Sequence, residues 1–126
     1  MIDSSIRRRT ACQMRIKNEQ AWIRKSLERT WQVASRVVIL DDGSTDETKA
    51  EAVSTLGLSQ AHGAERGTGV VVWTVGDGRE LHYFTSPFAN DAVRPLERAN
   101  EIRDRGNLWW YLKSNVPFEH VLCLDG

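Results

Sequence analysis

Arg36-Val-Val-Ile-Leu-Asp-Asp-Gly43 is the stretch that decides the fold class of this chain. Its apolar and mostly β-branched run is typical of a strand that is buried on both faces of a parallel sheet. Asp41 and Asp42 follow the run directly, and a glycine turn comes next. The stretch therefore predicts a buried strand that brings two carboxylates to one edge of a sheet.

The segment after this turn has the features of a helix. Ser44 and Glu47 have the spacing of a capping box, in which each side chain bonds a backbone N–H at the start of a helix. Gly57 is the residue type that commonly ends one. We therefore predict a helix that begins at Ser44 and ends near Leu56.

Strand and helix patterns alternate along the rest of the chain. Short apolar runs predict further strands at 11–16, 70–75, 81–85 and 120–124. Apolar residues at helical spacing predict further helices at 19–31 and 96–114. This order predicts an α/β fold, a mostly parallel sheet flanked by helices, with a β-hairpin insertion near 70–85 and a loop at 58–68.

Each of these two helices is expected to bury one face. In the first, Ile23, Leu27 and Trp31 recur every four residues. In the second, the residues at helical spacing are Leu96, Ala99, Ile102, Gly106, Trp109 and Leu112. We therefore expect Trp109 to lie in the core rather than on a sugar-binding surface.

Composition indicates one ordinary soluble domain. The 126 residues are 40% hydrophobic and 27% charged, and the formal net charge is zero. Residues 1–10 are polar and basic, so we expect a disordered leader before a domain at 11–126. The arginines at 7–9 lack interleaved aromatic residues, so no nucleic-acid polymer is expected as a partner.

Cysteine usage and hydropathy predict a cytoplasmic chain. Cys12 and Cys123 lie in apolar runs without metal-ligand spacing, which predicts buried free thiols. No apolar run approaches the roughly 20 residues that span a bilayer, so we expect no membrane segment. His62, His82 and His120 share no ligand spacing and are expected to be structural or solvated.

Carboxylates end two of the predicted strands. Asp41 and Asp42 end one, and Asp125 ends another. Because the carboxyl ends of parallel strands meet at one edge, we expect these acids to share a cleft. Their oxygens can accept hydrogen bonds from a base or ribose, or can hold Mg²⁺ or Mn²⁺. In the alternative interpretation, the first two acids only shape a polar turn.

Three motifs resemble the opening of family 2 glycosyltransferases, which have the GT-A (Rossmann-like) fold. They are Arg15-Ile-Lys-Asn-Glu-Gln-Ala-Trp-Ile23, Arg36-Val-Val-Ile-Leu-Asp-Asp-Gly-Ser-Thr-Asp-Glu-Thr48 and Val121-Leu-Cys-Leu-Asp-Gly126. The third resembles the beginning of the family's Asp-x-Asp strand. The resemblance covers about residues 11–57 and 96–126. It implies the nucleotide-sugar-binding part of such an enzyme, an incomplete domain that stops within the metal motif.

The resemblance also implies a reaction and a set of ligands. The donor would be a nucleotide-diphosphate sugar, UDP-linked, and the cofactor Mg²⁺ or Mn²⁺. Transfer to an acceptor hydroxyl would invert the anomeric centre, with a general base and a second metal aspartate beyond residue 126. The implied nucleotide-sugar ligands are Lys17, Asn18, Asp41, Asp42, Arg105 and Asp125.

These ligands have different implied roles. Lys17 and Asn18 would lie beside the nucleotide. Asp42, in preference to Asp41, would contact the base. Arg105 would meet the diphosphate through its planar donor fork. Asp125 would face both ribose and metal.

Two other classes of protein remain as alternatives. One is a receiver-like signalling domain, or another non-catalytic α/β domain with an acidic pocket, although the acid pair of a receiver ends the first strand of its domain. Here a strand and a helix precede Asp42. The other is a nucleotidyltransferase, which would need a glycine- and arginine-rich loop after the first strand, and 14–18 is not one.

Overall fold

One mixed sheet organises the computed structural model, which describes residues 4–58, 63–66, 69–87 and 94–125. Its strands are β1 (Thr10–Ile16), β2 (Arg36–Asp41), β3 (Ala64–Arg66), β4 (Val70–Thr74), β5 (Glu80–Thr85) and β6 (His120–Asp125). The helices are α1 (Ser4–Arg8), α2 (Ile23–Thr30), α3 (Thr48–Ser54) and α4 (Arg94–Asn115). This alternating order confirms the predicted α/β class.

Four neighbouring strands run parallel, in the order β5-β2-β1-β6. On the far side of β5, β4 pairs antiparallel with it, and β3 pairs antiparallel with β4. The predicted hairpin is therefore present, and Gly78 in its turn has a φ of 90°. The hairpin is not an insertion, however, because β5 pairs with β2 over its whole length. Its buried Leu81 and Tyr83 belong to the central core.

Apolar side chains cover both faces of the parallel strands. On one face, Met14 and Ile39 pack in the same cluster as Leu27 of α2. On the other face, Leu40 packs in a cluster with Leu112 of α4. A parallel sheet that is covered on both faces is what the continuous apolar run of β2 predicts.

The buried face of α4 differs from the predicted one. Leu108 and Leu112 are buried, whereas Ile102 is 63% and Trp109 is 42% exposed. Most neighbouring residues of the predicted face are three positions apart in the sequence. Residues at that spacing do not stay on one side of a helix that has 3.6 residues per turn. Trp109 therefore lies on the surface, where its ring meets the edge of Phe118 at a centroid distance of 5.9 Å.

The predicted disordered leader contains helix α1, so that prediction was wrong. Arg7 Nε donates to the carbonyl oxygen of Trp31 at 2.7 Å, and Ser35 N–H donates to the Arg7 carbonyl at 3.2 Å. Arg9 pairs with Glu119 at 2.8 Å. These basic residues have partners far along the chain, which local composition does not show. Residues 1–3 lie outside the described part of the chain.

Two further predictions need correction. The predicted loop at 58–68 contains β3, and its residues 59–62 and 67–68 lie outside the described ranges. Cys12 is buried as predicted, and burial raises the pKa of its thiol to about 12. Cys123 is exposed instead, because β6 has a neighbouring strand on only one side among the described residues.

Candidate functional site

The carboxyl ends of the parallel strands form one edge of the sheet. Ile16 lies opposite Asp41, and Asp41 lies opposite Thr85. On the other side of β1, Asp125 lies opposite Arg15. The chain passes from β1 to β2, then through β3 and β4 to β5, and later crosses to place β6 against the other side of β1. In open α/β sheets, ligands bind at the carboxyl edge where the strand order switches in this way.

Two turns interlock at this edge. Asn18 follows β1 with a φ of 50°, in the left-handed region that asparagine tolerates. Its backbone N–H donates to Ser44 Oγ at 2.8 Å, and its side-chain Oδ1 accepts the Thr45 N–H at 2.8 Å. The predicted ligand Asn18 therefore shapes the turn with its side chain.

The start of α3 is built differently from the predicted capping box. The helix begins at Thr48, and the side chain of Glu47 makes no capping bond. Asp46 Oδ1 accepts the Thr48 N–H at 3.0 Å. The hydrogen bond from the Thr48 hydroxyl is the main reason that the pKa of Asp46 is lowered. The hydroxyl of Ser44 instead donates to Asp41 and accepts the Asn18 N–H, so both of its contacts lie outside α3.

Asp41 has a structural role. Its side chain lies on the α3 side of the sheet and the residue is only 5% exposed. Oδ1 accepts the Ser44 N–H at 2.8 Å and the Ser44 hydroxyl at 2.7 Å, and Oδ2 accepts the Tyr83 hydroxyl at 2.5 Å. Burial, followed by this bond, raises the pKa of Tyr83 far above its usual range. Both oxygens of Asp41 are therefore used, which argues against a role as ligand.

Asp42 is the accessible member of the pair. Its Oδ2 accepts a bond from Arg15 Nη2 at 2.9 Å, and its side chain is 19% exposed. Within the described part of the chain, Oδ1 has no hydrogen-bond partner. Burial raises the pKa of Asp42, and the adjacent Arg15 partly opposes the shift. Asp42 therefore offers an oriented carboxylate with one open oxygen.

Arg15 is held from a second side by α4. Its Nε donates to Asp104 Oδ2 at 3.0 Å, and Asp104 is completely buried. The other carboxylate oxygen of Asp104 accepts the hydroxyl of Ser86, the residue after β5. These contacts join the ends of three neighbouring strands to one helix.

The remaining predicted ligands are Lys17, Arg105 and Asp125. Lys17 is exposed, close enough to lower the pKa of Asp42. Arg105 is exposed and bonds Glu101 at 2.9 Å, as the helical i,i+4 spacing allows. It also lines a cavity of about 260 Å³ with Arg15. For Asp125 the backbone position is described, but its side chain lies outside the described part of the structure.

Metal ligands do not converge among the described side chains. No group of three or more His, Cys, Asp or Glu residues there is arranged to hold an ion. Asp42 has one oxygen bonded to Arg15, and Asp41 has both oxygens bonded. The described side chains therefore do not make a metal site by themselves, and the predicted metal role of Asp125 stays a prediction.

Comparison of the chain with known protein families, curated proteins and solved structures found no match.

A larger cavity of about 530 Å³ lies between α2 and β6. Its wall includes Trp22, which is 67% exposed, and Leu122 of β6. None of the predicted site residues whose side chains the structure describes lines it, and its surface is mainly apolar. The carboxyl edge of the sheet is the better candidate site because polar groups converge there.

Sequence reasoning missed Arg15, Asp104 and Ser86 as parts of the site. Two signals were available. Arg15 alternates with apolar residues in a strand of a sheet that is predicted to be flanked by helices, and a charge buried there needs a partner. Asp104 precedes Leu108 by four residues, so both lie on one face of α4.

The described histidines are structural or exposed, as predicted. His82 is buried, with its ring nitrogens 2.7 Å from the Tyr111 hydroxyl and 3.0 Å from Glu80 Oε1. His120 is exposed. His62 lies outside the described residues. Across the part of the chain that the structure describes, no helix is both long and apolar enough to cross a membrane.

Proposed function

We propose that the carboxyl edge of this sheet binds the nucleotide of a nucleotide-diphosphate sugar, as the donor part of a GT-A glycosyltransferase of family 2. The observation that carries the proposal is the open oxygen of Asp42 at the end of β2, beside the turn that follows β1. The strand order, with its switch beside β1, supports the same edge as the binding cleft.

In this proposal, Asp42 accepts an N–H of the base. The interlocked turns at 17–20 and 43–48 form the adjacent wall. Asp125 and Asp42 lie on either side of β1, two strand spacings or about 10 Å apart across the sheet, and Asp42 lies two residues further along its strand direction. A nucleotide has that scale, so its base and its ribose or diphosphate can reach the two positions together.

A divalent ion would neutralise charge that develops on the departing diphosphate. In this proposal Asp125 is its ligand from the chain, and Mg²⁺ or Mn²⁺ is the ion because both prefer oxygen ligands. The described residues are proposed only to bind and orient the donor. The inverting outcome and the cytoplasmic location stay predictions.

Calorimetric titration tests the proposal. UDP is added to the full chain in the presence of Mn²⁺, with ADP as the competing nucleotide. Asp42→Asn is expected to weaken UDP binding about tenfold or more, because an amide cannot accept the bond as a charged acceptor does. Asp77→Asn in the β4–β5 turn is the matched control, because that exposed acid lies at the opposite edge of the sheet.

Two results would contradict the proposal: equal affinity of the wild-type chain for UDP and ADP, or no effect of Asp42→Asn. The receiver alternative makes a separate prediction. In a receiver-like sheet of order 2-1-3-4-5, the acid pair and the lone acid follow adjacent strands. Here β1 separates the strands of Asp42 and Asp125. Labelling of Asp125 by a phosphodonor without UDP binding would favour that alternative.

A further inference from the structure

We infer that Arg15 and Asp104 are positioning residues, which hold the Asp42 carboxylate in place for its ligand. The inference rests on the proposed function, because it assigns a task to Asp42. It does not follow from the motifs that resemble glycosyltransferases. It follows from contacts that join β1, β2, β5 and α4.

The guanidinium of Arg15 bridges two carboxylates. Nη2 donates to Asp42 Oδ2 at 2.9 Å, and Nε donates to Asp104 Oδ2 at 3.0 Å. A guanidinium has donors in a rigid planar arrangement, so fixing two of them fixes the orientation of the group. Arg15 therefore cannot turn without breaking a charged hydrogen bond.

Asp104 anchors this arrangement from inside the protein. Its side chain has no solvent exposure, and Ser86 donates a hydroxyl bond to its second oxygen. Ser86 is itself buried, and its backbone N–H donates to the Asp41 carbonyl at 2.8 Å. Both partners of Asp104 are thus fixed by the ends of strands. A buried carboxylate with these partners is a rigid support for Arg15.

The charges of Arg15, Asp42 and Asp104 favour a ligand that donates a hydrogen bond. Two carboxylates share one guanidinium, so the three side chains carry a formal net charge of −1. The buried acid is shielded from solvent, whereas Asp42 is 19% exposed. The excess negative charge of the three side chains is therefore exposed at Asp42, and the nearby exposed Lys17 offsets part of it. An N–H donor of a ligand, placed there, completes the bonding that the protein leaves open.

The first test measures UDP affinity in variants of the full chain by calorimetry with Mn²⁺. Arg15→Gln and Asp104→Asn are each expected to weaken binding about three- to tenfold, because each removes a charge-assisted hydrogen bond. Arg15→Lys is expected not to restore affinity, because one ammonium lacks the fork that joins both acids. Lys113→Gln, an exposed change on the same helix, should leave affinity unchanged.

A double-mutant cycle separates positioning from a general structural role. If Asp104 acts through Arg15 on Asp42, then Asp104→Asn causes no further loss in the Asp42→Asn background. A merely structural role lowers affinity by the same factor in both backgrounds, and that result would overturn the inference. Ser86→Ala serves as a second variant if Asp104→Asn lowers folding, because it keeps both charged pairs.

A ligand-free measurement keeps this inference distinct from the proposed function. The Arg15 Nε–H exchange rate is measured by NMR in the wild type, Asp42→Asn and Asp104→Asn. Slow exchange in the first two and fast exchange in the third supports the anchoring role, even if UDP fails to bind and the proposed function falls. Fast exchange in the wild type overturns it, as does a gain of UDP affinity in Arg15→Gln.

Discussion

Two adjacent aspartates at the end of β2 have different environments because successive residues of a strand point to opposite faces. Asp41 turns to the α3 side and bonds Ser44 and Tyr83. Asp42 turns to the α4 side and bonds Arg15. The first is structural, and the second is available for a ligand.

Substitution of Asp41 is expected to reduce stability rather than only binding. Asp41→Ala removes the acceptor of the Tyr83 hydroxyl and the Ser44 N–H, so the free energy of unfolding should fall by about 2–4 kcal/mol. Tyr83→Phe removes one of these bonds and should cost less. Urea denaturation measures both. A change below about 0.5 kcal/mol in Asp41→Ala would be typical of an uninvolved surface residue and would contradict this role.

The raised pKa of Asp42 predicts a pH dependence of UDP binding. Base recognition needs the ionised carboxylate as acceptor, so affinity should fall as the pH drops through the pKa of Asp42. Burial raises that pKa, so the loss should begin above the ordinary aspartate value of about 3.9. Calorimetry across acidic pH measures the midpoint, and Asp42→Asn should abolish the transition.

The raised pKa of Asp42 makes the stability of the fold depend on pH in the opposite direction. Because the folded state binds this proton more tightly than the unfolded state, ionisation of Asp42 lowers the free energy of unfolding as the pH rises between the two pKa values. Over this pH range, acidification should therefore weaken UDP binding, whereas the contribution of Asp42 to the free energy of unfolding should not fall. A loss of UDP affinity that follows a loss of folding would contradict the assignment.

At the scale of elements, α4 shows that a buried face depends on what lies beneath it. Leu108, Leu112 and Asp104 face the sheet, and the aspartate is buried because Arg15 and Ser86 supply its bonds. Hydropathy alone favours Trp109 over Asp104 for the core. The part of the sheet beneath α4 favours Asp104 instead, because Arg15 and Ser86 lie there.

Alanine substitutions on α4 test this face. Leu112 is fully buried, so Leu112→Ala should lower the free energy of unfolding by roughly 2–5 kcal/mol. Trp110 is 69% exposed, so Trp110→Ala should change it by no more than about 0.5 kcal/mol. Chemical denaturation measures both. A larger effect of Trp110→Ala would place the buried face elsewhere.

At the scale of the whole molecule, the order β5-β2-β1-β6 brings distant segments to one edge. The turns after β1 and β2 interlock there, and the end of β6 lies on the other side of β1. The opposite edge holds the β4–β5 turn. Any ligand of the carboxyl edge should therefore affect several segments together and leave that turn unchanged.

Hydrogen exchange with and without UDP and Mn²⁺ measures this pattern. We expect slower amide exchange at 17–20 and 42–48, because ligand contacts stabilise the interlocked turns. Exchange at 76–79 should stay the same, and this segment is the internal control. Protection at 76–79 without protection at 42–48 would place the ligand at the wrong edge of the sheet.

Most of the strands and the α/β class could be predicted from local patterns. The apolar run of β2, the alternation of apolar segments and the glycine turn of the hairpin each depend on residues close in sequence. The carboxyl edge also follows from this pattern, and the backbone places Asp42 and Asp125 at that edge. The role of β5 could not be predicted in this way, because a hairpin pattern does not show what lies beside its second strand.

By itself, the sequence determined where most strands form and which acids end two of them, because backbone periodicity is a local property. Only the tertiary structure showed which groups bond Asp41 and which groups hold Asp42 at the surface. Arg15 lies 27 residues from Asp42 and 89 from Asp104 along the chain, so no local pattern reveals their contacts. A buried charge is stable only beside its partners, and the fold decides which residues those are.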